Sequence, residues 1–293
     1  TCINFTVRAH LIMKNIFTTL TVALILLVSC GKEKTAEDYA ALADKSYAAG
    51  DYYETRKHLA EAVKLIPTDK NIIIQYSKVY AAQNMFDSAF ANLSRADKLY
   101  PGDREINKLL HEMSVKTENW SAAIQTQLVL AQPGDSLEYY FRRIGEYALK
   151  DSAGHIAYYY YGQLAAFQPE SLSHYLNQAE GGLISGELQN SIDVLKAANK
   201  RFGDLPEILL ELGRLHSMMG NLSEAERAFR LLVKKDASSV NQLQLATILA
   251  HSDKRAKKEE AYAMFKKLRL ETANFNRVDS ILTVLEKDLS IRK

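Results

Sequence analysis

The stretch NIIIQYSKVYAAQNMFDSAFANLSRADKLYP, Asn71 to Pro101, decides how the whole chain is read, because its pattern returns every 34 residues without a gap. Repeats that begin at Ala36, Lys70, Arg104, Glu138, Leu172 and Pro206 place Thr55, Ala89, Ala123, Ala157, Ser191 and Ala225 together at repeat position 20. Position 8 holds Ala43, Ser77, His111, Gly145, Ala179 and Gly213, and position 24 holds the bulkier Leu59, Leu93, Gln127, Tyr161, Leu195 and Phe229. Two helices in a hairpin need small residues where their axes approach to about 8–10 Å, with large ones filling the flanks. Pro67, Pro101 and Pro169 share position 32, where a missing N–H ends a helix. Gly50, Gly186 and Gly220 share position 15, at the turn between paired helices. Several columns in one register predict an all-α array of helix hairpins.

These columns resemble the tetratricopeptide repeat family, which has small residues at positions 8, 20 and 27, an aromatic at 24 and proline at 32. The clearest copy is LLELGRLHSMMGNLSEAERAFRLLV, Leu209 to Val233, and the resemblance covers residues 36–268. It implies a stack of about six to seven helix-turn-helix repeats, a superhelix whose first helices line a groove. Three departures stand out: His111 takes the position-8 place, Gly154 replaces the aromatic supplied elsewhere by Phe86 and Trp120, and Pro133 comes two residues early.

At 293 residues, 47% hydrophobic and 25% charged, the composition is that of an ordinary globular chain. With 37 basic and 35 acidic side chains there is no broad basic field for nucleic acid. Two cysteines, Cys2 and Cys30, are too few for a disulfide framework or a cysteine metal cage.

Residues 1–12 precede Met13 and read as an upstream extension, the alternative being a genuine N-terminal segment. Residues 13–29 carry Lys14 and then the apolar run from Ile16 to Ser29, a secretory signal too short for the ~20 residues of a membrane span. The end, Leu27-Val28-Ser29-Cys30-Gly31, resembles the bacterial lipobox, which implies lipidation of Cys30, with residues 30–35 as a tether; the alternative is an ordinary signal with an incidental cysteine. Because Gly31 is not the aspartate that retains many such lipoproteins in the inner membrane, the resemblance favours the outer membrane, on either face.

A seventh, degenerate repeat runs from Val240, with helices expected at Val240–His251 and Lys257–Leu268 and the charged insert Ser252–Glu260 lengthening their turn. That insert reads as a solvated helix start ahead of a binding patch. Residues 275–293 place Val278, Ile281, Leu282, Leu285 and Leu289 on one helical face, which predicts a capping helix over the last hairpin.

No phosphate loop, nucleophile elbow, zinc-protease pair or calcium loop occurs, so no cofactor, metal or catalytic residue is expected. The informative polar column is position 9: Asp44, Lys78, Glu112, Glu146, Glu180 and Arg214. The family resemblance turns positions 2, 5, 9, 12 and 13 into the groove, where Lys108, Tyr139, Arg142 and Lys150 would join them. Charged helix faces kept for solubility are the competing explanation. Tyr158 to Tyr161 cannot all face one neighbour, so Tyr159 and Tyr160 are expected outside and Tyr161 in the core. The sequence therefore predicts a lipid-anchored, non-catalytic scaffold or adaptor for a protein or peptide partner in the bacterial envelope. The alternative is an envelope enzyme or ligand receptor built from groups such as His111, Glu112 and Glu146.

Overall fold

The computed structural model describes residues 33–131, 136–271 and 276–290. The upstream extension, the signal segment, Cys30 and Pro133 lie outside these. Every regular element among the described residues is helical, as the repeat register predicts. None of these helices is long and apolar enough to cross a membrane. The chain divides into two compact units, Thr1–Ile106 and Asn107–Lys293.

The first unit holds α1 (Ala36–Ala48), α2 (Tyr52–Leu65), α3 (Lys70–Ala82) and α4 (Phe86–Leu99), and the next helix, α5 (Arg104–Lys116), carries the boundary. Helix starts follow local chemistry. Thr35 and Asp38 form a reciprocal capping box, with Asp38 N donating to Thr35 Oγ1 at 3.2 Å and Thr35 N to Asp38 Oδ2 at 3.0 Å. Asp51 and Asp69 each accept from the third backbone N–H beyond them. Consecutive helices pack as hairpins around Ala43, Leu59, Ala62, Ile72 and Val79. Lys70 pairs with Asp103, the last residue of the same repeat, at 2.9 Å, and between repeats the Tyr100 hydroxyl donates to Thr68 O.

The second unit continues with α6 (Trp120–Leu130), α7 (Leu137–Lys150), α8 (Gly154–Phe167), α9 (Leu172–Ile184), α10 (Leu188–Phe202), α11 (Pro206–Met218), α12 (Leu222–Lys235), α13 (Ser239–Ala250), α14 (Arg255–Glu271) and α15 (Asn276–Asp288). Each of these helices packs on the next. The small column is buried throughout: Thr55, Ala89, Ala123, Ala157, Ser191 and Ala225 are all at most 1% exposed, and Ala261 continues it in the seventh repeat. Gly213 shows why position 8 is small, since a Cβ there would lie 2.6 Å from the Phe229 ring at position 24.

One element differs from expectation. The insert Ser252–Glu260 lengthens the turn by only one residue, four separating α13 from α14 where three separate the partners of the other hairpins, because α14 already begins at Arg255 and the rest of the insert is a helix start. Its Arg, Ala, Lys and Glu residues are strong helix formers, and Arg255 pairs with Glu259 one turn on at 2.8 Å. Three more of the insert's charges are used in packing: Lys257 pairs with Glu226, Glu260 with Arg230, which also holds Glu226, and Lys258 with Asp288. Helix α15 then covers the last hairpin, with Val278, Leu282, Leu285 and Leu289 buried and Ile281 half-buried. Tyr262 donates to Glu286 at 3.2 Å and Arg269 pairs with Asp279 at 2.9 Å, which fixes α15 against α14.

Candidate functional site

In the second unit a cavity of about 390 Å³ opens between α9 and α11, the first helices of consecutive repeats. Its floor is apolar: Ala179, Leu195 and Leu215 are buried, and Leu176, Leu183 and Leu210 are half-buried. Its rim carries Glu180, Glu207, Glu211 and Arg214. The Arg214 guanidinium donates to both Glu211 oxygens, at 2.8 and 2.9 Å. Among the described residues Glu180 and Glu207 have no ion-pair partner.

The first unit has a smaller cavity of about 210 Å³ between α1 and α3, lined by Ala43, Asp44, Tyr47, Thr55, Gln75, Lys78 and Val79. Gln75 donates to Asp44 at 2.7 Å, and Lys78 pairs with Glu105 at 3.4 Å. Six of these seven residues have a counterpart four repeat lengths on that lines the larger cavity: Ala179, Glu180, Leu183, Glu211, Arg214 and Leu215. The repeat register thus builds the same kind of recess twice, from position 8, 9 and 12 residues of one first helix and position 6, 9 and 10 residues of the next.

Of the residues singled out from sequence, Asp44 and Lys78 meet in one cavity and Glu180 and Arg214 in the other. The rest line neither. Lys108 and Glu112 are exposed on α5. Arg142 pairs with Glu138, and Glu146 with Arg143 at 3.1 Å. Tyr139 is 57% exposed and meets Tyr140 edge-on, while Lys150 lies over the Trp120 ring at 4.3 Å. Tyr159 is exposed as expected, Tyr160 is half-buried against Phe141 at 5.3 Å, and Tyr161 is in the core, where burial pushes its phenol up to about 12.

His111 fills a place meant for a small residue by joining a polar cluster. Thr126 Oγ1 donates to Ala122 O at 2.8 Å, so it accepts from His111 Nδ1–H at 3.1 Å. That leaves Nε2, 3.3 Å from the Tyr147 hydroxyl, to accept. The hydroxyl in turn accepts from Arg143, and Trp120 stacks on the Tyr147 ring at 5.8 Å. Burial, with Arg143 nearby, holds the His111 imidazole below its ordinary value, and burial raises the Tyr147 phenol. The histidine–carboxylate pair that the enzyme alternative calls for is not formed: the partners of His111 are a threonine and a tyrosine. Among the described residues no cluster of metal-ligating side chains occurs.

The sequence reading missed most of the cavity wall, because it used positions 2, 5 and 13 only in the third and fourth repeats and in the fifth and sixth followed the charged column at position 9 alone. Positions 2, 5 and 12 of the same register hold Glu207, Leu176, Leu210 and Leu183, so the signal was there to be used.

No protein-family model and no curated protein matches the sequence. Solved structures do match in fold. A structure of Naa15/Naa10 bound to HypK-THB aligns with 86% of this chain at 14% identity and a TM-score of 0.57. This chain spans only 39% of that one's length. The C-terminal part of a TPR repeat-containing protein from Cytophaga hutchinsonii aligns over 82% of this chain and 98% of its own, at 12% identity and a TM-score of 0.50. The fold of this chain is therefore of the tetratricopeptide repeat kind.

Proposed function

We propose that this chain is a non-catalytic scaffold that docks a protein or peptide segment in recesses between the first helices of its repeats, and that lipid on Cys30 holds it at a membrane of the bacterial envelope. The observation that supports docking is the recurrence of one recess at matching register positions, with six lining residues in correspondence. A recess with an apolar floor and a few charged groups at its rim suits a partner's side chain, the floor contributing affinity and the rim selecting among partners. The Naa15/Naa10 structure holds HypK-THB, which is consistent with a partner-binding use of this fold. The lipobox-like run ending in Cys30, with Gly31 after it, supports an anchored protein and favours the outer membrane.

Two experiments test the two halves. Pull-down from detergent-solubilised membranes should recover a partner that is lost on reversing Glu180 and Arg214, or Asp44 and Lys78; binding unchanged in both reversals removes the recesses from the account. Palmitate labelling should be present in the parent chain and absent from Cys30→Ala. Retained label and membrane fractionation in that variant refute the anchor.

A further inference from the structure

The two recesses share a register but not a charge balance. In the first unit the rim carries one acid, Asp44, which accepts from the neutral Gln75, and one base, Lys78, which pairs with Glu105 outside the lining. In the second unit Glu211 replaces the glutamine and Glu207 is added, so three carboxylates face one guanidinium. Arg214 is committed to Glu211, which leaves Glu180 and Glu207 uncompensated at the mouth.

We propose that the cavity between α9 and α11 binds a protein segment presenting an apolar side chain flanked by lysine or arginine. This rests on the reading of the recesses as docking sites and adds the chemistry of what docks. The half-buried Leu176, Leu183 and Leu210 over buried Ala179 and Leu215 offer a dry floor to one side chain. Filling that floor brings the side chain's neighbours against the rim, where a cation meets Glu180 or Glu207 and a carboxylate meets like charge. Lysine and arginine add a second gain, since their methylene stems lie on leucine while the charged end reaches the carboxylate. The first-unit recess, with Asp44 as its single carboxylate and Lys78 paired to Glu105, makes this distinction more weakly.

Three fluorescent decapeptides test the assignment on the full chain in detergent: alternating leucine and lysine, leucine and glutamate, and serine and lysine. The methyl resonances of Leu176, Leu183 and Leu210 report occupancy of this cavity. The leucine–lysine peptide should shift these methyls and bind about tenfold more tightly than either other peptide. Glu180→Gln with Glu207→Gln should weaken it about tenfold, and Arg214→Gln should tighten it. These residues are exposed, so the variants keep the fold. If the leucine–glutamate peptide occupies the same methyls equally well, or the glutamine variants bind the basic peptide unchanged, the charge assignment is overturned while the recess stands as a docking site. If no peptide moves those methyls, this inference fails. The scaffold reading then fails with it only if membrane pull-down also recovers no partner sensitive to the rim reversals.

Discussion

Six residues at repeat position 15 have left-handed backbone, and three of them are not glycine: Asn84 (φ 58°), Glu118 (φ 54°) and Ser152 (φ 56°) join Gly50, Gly186 and Gly220. The turn geometry is the repeat's, and it is imposed even where the side chain resists it. A non-glycine residue there costs about 1–2 kcal/mol, with asparagine the best tolerated. Glu118→Gly should therefore stabilise the chain by about 1 kcal/mol in urea unfolding, and Gly220→Ala should cost about as much. Nothing lies within 4 Å of a Cβ at Gly220, so that loss would be backbone strain alone. From sequence only the glycines announced this turn, because glutamate and serine carry no signal for a positive φ. A second effect at this scale is acid sensitivity. Burial holds His111, His174 and His216 below the ordinary 6.5. As pH falls through 6.5 the unfolded chain takes up protons that the folded chain refuses, so stability drops. Unfolding free energy should decline from pH 7 to pH 5, and His111→Gln, which can still bond Thr126 and Tyr147, should flatten that decline.

Among the elements, α8 and α9 meet backbone to backbone, and they do so where the sequence departs from the family pattern. Gly154 stands in place of the aromatic that Phe86 and Trp120 supply elsewhere. A Cβ on it would lie 2.4 Å from Gly181 O, and one on Gly181 would lie 2.5 Å from Tyr158 N. Backbone rests on backbone, so the missing ring marks a tighter junction and not a broken repeat. Gly181→Ala should cost about 3 kcal/mol, since neither helix can yield without moving its neighbours. Gly162→Ala is the contrast: its Cβ would meet only the amide end of Gln178, which can swing aside. It should be neutral or stabilise by up to about 1 kcal/mol through helix propensity. Chemical denaturation of the pair checks both. Register alone could flag Gly154 as unusual but could not say what replaced the ring, because the answer lies in Gly181 of the following repeat. The sequence reads as a solvated helix start at Lys257, but α14 begins two residues earlier, at Arg255. Its lysines are not merely solvated, since Lys257 and Lys258 pair with Glu226 and Asp288 on neighbouring helices, which the charged run alone could not show.

Over the whole molecule, the repeat columns carried the helix pairs, the buried small positions and the cap, since these depend on spacing and volume. They did not reveal the division into two compact units, because the register runs through Ile106 and Asn107 without a break. The third repeat does differ in content: Asn107, Ser114, Thr126 and Gln127 are four of the ten buried polar residues among those described. Nor did the columns single out the leucine-floored recess, whose character depends on which positions of two helices come together. Everything above depends on the claim that residues 34 apart occupy equivalent places. Positions 20 and 22 test it directly, because Thr55, Ala89, Ala123, Ala157, Ser191 and Ala225 are buried while Lys57, Ala91, Gln125, Tyr159, Asp193 and Arg227 are exposed. Leucine placed singly at each of the twelve positions, read by urea unfolding, should cost about 1–3 kcal/mol at every position-20 residue and under about 0.5 kcal/mol at every position-22 residue. A repeat in which that order is reversed would contradict the register and everything built on it.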